Sequence, residues 1–377
     1  VCMRFQCLQD NLKKGLHVAG RIPHKSTNLP ILQNILLRAT DKGVIECISN
    51  NLEMGVRSTI RGKVEKEGAY TFDARLLTEY VNLLPNEKVD LELKEDVLEV
   101  RCANYYTKIR GVPAAEFPPL PNTDKINPLT CGAIQFRDAL EQVLFTISPH
   151  ESRQEISGAS LSYEVKDKIL TLVGTDSYRL GERKILTHSG PENDFSTIIP
   201  LRTLQELLRI LYTFENEDER LTLYIQEGQI LFTLDTIEII SRLIDGVYPE
   251  YRQIIPQNTT TTAIVATATL SRLVKSASLF SKAGVCDVVF TSNTAQQQLT
   301  LSASSTQFGE NAVTLEGDIQ GPDITTTLNH RYVIEGLNAL HAGKVMLKIA
   351  DSTTPCIFEP ADTPKQPYLY LVMPIRR

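Results

Sequence analysis

The chain has 377 residues, of which 42% are hydrophobic and 22% charged, enough for two or three globular domains with proper cores. It has no apolar run long enough to cross a bilayer and no basic-then-apolar leader at its N-terminus, which excludes a membrane span and predicts a cytoplasmic protein. The net charge of −6 argues against a protein that grips DNA by bulk charge neutralisation.

In chain order, the first element is an amphipathic helix carrying Leu12, Leu16 and Ala19. A strand pair follows over 43–60. A second helix places Leu76, Leu77, Tyr80, Val81 and Leu84 on one face, and a hairpin begins with alternating Leu91 and Leu93. Proline-rich residues 117–128 read as a linker, because proline continues neither a helix nor a ladder.

The same programme then repeats. Phe136, Leu140, Val143, Leu144 and Ile147 mark a helix, and 168–185 a strand pair. Leu204, Leu207, Leu208 and Leu211 mark the next helix, and Leu221, Leu223 and Ile225 the next strand. After a second linker at 249–258, Thr259–Thr262 leads into a third copy. Its helices carry Leu270, Leu273, Val274 and Ala277, then Val333, Ile334, Leu337 and Leu340. Its strands include 296–317 and the alternating Val345, Leu347 and Ile349. Repetition at a spacing near 130 residues is the most informative feature of the sequence. It predicts an α+β chain of three repeated domains, 1–122, 128–254 and 257–377, each with two helices packed on antiparallel sheet.

Charge is unevenly spread over this plan. Residues 8–25 and 269–283 each carry +3, 200–214 carry +1, 73–85 and 135–149 carry −1 each, and 328–341 are neutral. The helices with their flanks therefore hold +5 and the rest of the chain −11. If the helices face a common centre, that centre is positive and suits loose, sequence-independent contact with phosphates. On any single helix, such charges are more commonly those of a solvated face.

No phosphate-binding glycine loop, zinc-protease helix or nucleophile elbow is present. Cysteines at 2, 7, 47, 102, 131, 286 and 356 form no CxxC pair and are odd in number, which points to small buried thiols rather than to disulfides or zinc. Asp176 and Arg179 lack a neighbouring base or oxyanion donor, and an Asp-Ser turn between strands explains them. The expectation is no catalytic residue, no metal and no cofactor.

Several stretches carry a family pattern: Met3-Arg4-Phe5, LPILQNILL at 29–37, NLEMGVR at 51–57, TDSYRL at 175–180, YPEYRQIIP at 248–256 and the tail YLYLVMPIRR. Together they resemble the bacterial DNA polymerase III beta subunit, the sliding clamp, from about residue 3 to the end. LPILQNILL and NLEMGVR resemble successive strands of the family's first domain. The resemblance implies a head-to-tail homodimer, a closed ring of six domains with helices inside and sheets outside. Topology would then hold the DNA, so an acidic net charge is no obstacle. The partners implied are duplex DNA, the replicative DNA polymerase, a clamp loader, and repair polymerases and other proteins bearing a clamp-binding motif. A repeat-built interaction scaffold unrelated to DNA is the alternative.

Matched residue by residue, the resemblance implies a peptide-binding pocket lined by Ile156, Thr175, Ser177, Tyr178, Arg179, Leu180, Pro249, Ile254, Leu371 and Met373. It implies a second subsite at Asn329, Tyr332 and Pro374, and DNA contacts at Lys25, His150 and Arg153. It implies a subunit junction at Thr107 and Ile109 on one side and Leu279 and Phe280 on the other. Without the resemblance, Leu180, Ile254 and Leu371 read as ordinary core.

Overall fold

The computed structural model describes residues 3–22, 29–148, 153–282, 284–362 and 367–376. Six helices occur among them: α1 (Gln9–Ala19), α2 (Ala74–Leu83), α3 (Ala133–Val143), α4 (Leu201–Leu211), α5 (Thr267–Ser278) and α6 (His330–Ala339). All strand pairings are antiparallel and build sheets of five, nine, nine and four strands. The chain divides into two compact units, residues 1–133 with 210–243, and residues 134–209 with 244–377.

The first unit holds a five-stranded sheet that ends on the strand Tyr105–Arg110, and a nine-stranded sheet. Alternation fixes which side of each strand is buried: along Lys88–Lys94, Val89, Leu91 and Leu93 have no solvent exposure. The nine-stranded sheet runs without a break from the first sequence copy into the second. Met54–Ile60 pairs with Ile237–Arg242, and Val56 lies opposite Ile239. The stretch 117–128 contains no strand, yet it is fastened down. The Asn50 amide donates to the Pro118 carbonyl (3.2 Å), Gln226 donates to the Asp124 carbonyl (3.0 Å), and Lys125 pairs with Glu238 (2.7 Å). Gly55 lies beneath it, and a Cβ there, 2.1 Å from the Leu120 side chain, would force that side chain to shift.

In the second unit the other nine-stranded sheet joins copies two and three. Arg179–Leu186 pairs with Tyr368–Val372, which sets Leu180 opposite Leu371. Helices α5 and α6 cover a core that includes Leu270, Val274, Val333, Leu337, Leu340 and Tyr370. At Gly336 a Cβ would come within 2.1 Å of the Tyr370 ring, so glycine lets α6 lie directly on that tyrosine. The Tyr370 hydroxyl donates to the Tyr332 carbonyl at 2.9 Å.

Three local expectations are corrected. Leu76 is 53% exposed, because α2 buries Ala74, Leu77, Val81 and the following Leu84, and a residue adjacent to Leu77 is turned about 100° away from that stripe. In α4, Ile210 rather than Leu208 completes the buried face, and Leu208 is half-buried. The segment 29–37 is not all strand: Pro30–Gln33 is a 3-10 turn, with proline pre-set for its first position, and the strand begins at Asn34.

Candidate peptide-binding site

The site is built around a turn. The strand Ile169–Thr175 ends, and Arg179–Leu186 begins, across Asp176, Ser177 and Tyr178. Asp176 organises this turn: one carboxylate oxygen accepts from the amides of Tyr178 and Arg179, each at 3.0 Å, and the other from the Arg179 Nε at 2.9 Å. Thr175 donates its hydroxyl to the Arg179 carbonyl at 2.7 Å. Ser177 is held at φ 75°, a left-handed conformation that a serine adopts at a cost. Tyr178 is consequently presented to solvent, 63% exposed. Every acceptor oxygen of Asp176 is thus committed to the turn, which gives this residue a structural task.

Beneath the turn, Ile156, Leu180 and Leu371 pack with Val173, Ile198 and Tyr248, and Met373, Tyr251, Ile244, Ile255 and Leu369 lie against them. Pro249 is half-buried beside Tyr248, and the Tyr248 hydroxyl donates to the Val173 carbonyl at 3.4 Å. Burial, and then neighbouring Tyr251, holds the Tyr248 phenol above its ordinary value, so it stays a donor. Ile254 stands apart, 42% exposed in the 3-10 turn Tyr251–Ile254. The Met373 amide donates to the Tyr178 carbonyl at 2.8 Å, which ties the C-terminal segment to the turn.

Arg179 closes one end. Its guanidinium carbon lies 4.5 Å from the Tyr332 ring centre and 5.4 Å from that of Phe145, and its Nη1 donates to Glu335. Burial would lower its pKa, but the hydrogen bond to Glu335 and the charges of Asp176 and Glu335 outweigh that, leaving it above the ordinary arginine value. Asn329 caps α6 by accepting from the Arg331 amide at 2.9 Å. Pro374 is half-buried, and next to it the Ile375 amide donates to the Thr327 carbonyl at 2.8 Å. Phe145, Glu335, Tyr248 and Tyr251 were not anticipated. Glu335 had a legible signal in its three-residue spacing from Tyr332 on a helix, and Tyr248 and Tyr251 lie within the YPEYRQIIP motif.

Lys25 and His150 lie outside the described residues. Arg153 donates to the Ser177 hydroxyl, so it adjoins the turn of the candidate site. Among the junction residues, Thr107 and Ile109 sit on the edge strand Tyr105–Arg110, with Thr107 half-buried and Ile109 4% exposed. Leu279 follows α5 and is 72% exposed, while Phe280 packs on the core beneath α5 and α6. Among the described residues, no group of three or more His, Cys, Asp or Glu side chains is arranged to hold a metal, and no helix is long and apolar enough to cross a membrane.

Comparison with known proteins places these features in context. Family models match three successive segments: the N-terminal domain of the DNA polymerase III beta subunit over residues 3–121, its central domain over 132–250 and its C-terminal domain over 252–376. The beta sliding clamp of Synechococcus elongatus is 28% identical over 378 residues, covering 99% of both chains. That of Bacillus subtilis is 25% identical, covering 99% of this chain and all of the relative. Among solved structures, the Bacillus subtilis DNA polymerase sliding clamp superposes with a TM-score of 0.92 at 23% identity, and the Thermotoga maritima DNA polymerase III beta subunit with 0.90 at 23%. Both superpositions cover 100% of both chains.

Proposed function

Because the chain belongs to the DNA polymerase III beta subunit family, we propose that it acts as a sliding clamp, a ring around duplex DNA that confers processivity on the replicative polymerase. The observation that carries this is the match of all three family domains, in order, to a chain whose fold follows solved clamps along its whole length. The ring is a head-to-tail homodimer in the cytoplasm, closed by strand addition between the edge that bears Thr107 and Ile109 and the region of Leu279 and Phe280. Lys25, His150 and Arg153 touch the duplex. The protein has no active site and needs no cofactor.

Partners dock through a short peptide. Its apolar and aromatic anchors rest on the surface formed by Ile156, Leu180, Leu371, Met373 and Pro249, with Ile254 on the exposed margin. Thr175, Ser177, Tyr178 and Arg179 provide the turn beside it, and Asn329, Tyr332 and Pro374 a second subsite. An apolar floor with a few fixed polar groups suits anchor-residue recognition. The polymerase, the clamp loader and repair polymerases would share this one site.

Topology offers the test. Loaded by a clamp loader onto a nicked plasmid, the protein should remain with circular DNA through a high-salt gel filtration and run off after linearisation. Equal retention on both forms means ordinary DNA binding, and retention on neither favours a scaffold that does not act on DNA.

A further inference from the structure

Arg179 is held by contacts from two stretches of chain. Its Nε is given to Asp176, its Nη1 to Glu335, and its guanidinium carbon lies 4.5 Å from the Tyr332 ring centre and 5.4 Å from that of Phe145. The side chain is only 11% exposed, whereas that of Glu335 is 47% exposed. So enclosed, the guanidinium is held chiefly by its own neighbours. It works as a fixed strut, joining the turn after Ile169–Thr175 to α6, two pieces of chain from different sequence copies.

We infer that Glu335 is a positioning residue for peptide binding: it locks Arg179, beside Tyr332 and Phe145, and thereby fixes the spacing between the Tyr178 turn and α6. This rests on the peptide-site reading above. Two contacts make this spacing matter at the apolar floor. The Met373 amide is bound to the Tyr178 carbonyl, and the Tyr370 hydroxyl to the Tyr332 carbonyl, so the C-terminal strand is tied to both walls that Arg179 spans. If the strut loosens, both walls shift against the floor residues Leu180 and Leu371, although Glu335 itself touches no peptide. Charge-assisted hydrogen bonds from a guanidinium are directional, so a neutral or shorter acceptor cannot fully replace this one.

The experiment measures binding of a short synthetic peptide with leucine and phenylalanine anchors to the full chain, by fluorescence polarisation. Glu335→Gln should weaken binding about three- to tenfold with an unchanged unfolding midpoint. Glu335→Asp should recover part of the loss. Combined with Arg179→Gln, the second substitution should add almost nothing, because both remove the same strut. Wild-type affinity in Glu335→Gln, or losses that add in the double variant, would overturn the inference while leaving the peptide site standing. Absence of peptide binding by the unaltered chain would overturn both.

Discussion

Leu180 and Leu371 face one another across a strand pair, and neither has any exposed surface. Tyr178, two residues before Leu180, is mostly in solvent. These neighbours should therefore separate stability from recognition. Leu371→Ala should cost about 2–5 kcal/mol of stability, read as a lowered urea midpoint by circular dichroism, because the closely packed cluster cannot collapse around the lost side chain. Tyr178→Ala should change stability by less than about 0.5 kcal/mol and still weaken peptide binding. The buried cysteines give a second residue-level expectation. Burial pushes the thiols of Cys7, Cys131 and Cys356 up to about 12. The unfolded chain releases these protons near the ordinary thiol value, while the folded chain keeps them. The stability they contribute is thus complete below that value and is lost as pH rises towards about 12. Buried Tyr248, Tyr251, Tyr368 and Tyr370 are shifted in the same direction. Urea midpoints taken at about pH 8 and about pH 10.5 should fall, and the fall should be shallower in Cys131→Ala. An equal fall in that variant would assign the effect to the tyrosines.

At the level of elements, the seam between the first two copies is more than strand pairing. Arg38 pairs with Glu46 at 2.5 Å, Arg57 reaches Glu46 at 3.7 Å and Glu238 at 2.7 Å, and Lys125 from the linker completes the row on Glu238. Glu238 is only 20% exposed and neutralises two cations at once. Glu238→Gln should lower stability by about 1–2 kcal/mol at low salt and by less in about 1 M salt, with urea midpoints as the measure. Identical losses in both salts would mean that packing, rather than charge, holds the linker. The helices show where element-level reading works and where it slips. Periodicity identified all six, but it assigned Leu76 and Leu208 to buried faces, since an apolar residue beside a stripe looks the same in sequence whether it is turned inward or outward.

At the level of the molecule, the proposed ring makes its own demand. Leu279 is 72% exposed immediately after a helix, and the proposed junction would cover it. Leu279→Asp should give a folded monomer in sedimentation equilibrium, with the circular dichroism of the unaltered protein, while the unaltered chain sediments at twice the monomer mass. A variant that remains dimeric would remove Leu279 from the junction. The acidic net charge fits such an assembly, because a closed ring retains DNA without tight phosphate contacts and a weakly held duplex permits sliding.

The sequence by itself determined the threefold repeat, the six helices and the alternation of the strands, because these are local periodicities written in residue order. It also carried the family pattern, in short motifs spread from Met3 to the tail. Tertiary structure alone decided how the copies join, since Val56 meets Ile239, and Leu180 meets Leu371, across separations that no local pattern encodes. It alone brought Phe145 and Glu335 to Arg179, and showed Asp176 to be occupied within its own turn. Side chains far apart in sequence meet only when strands pair in register and helices settle on the sheets. The environment of a site residue, unlike its identity, is therefore a property of the packed molecule.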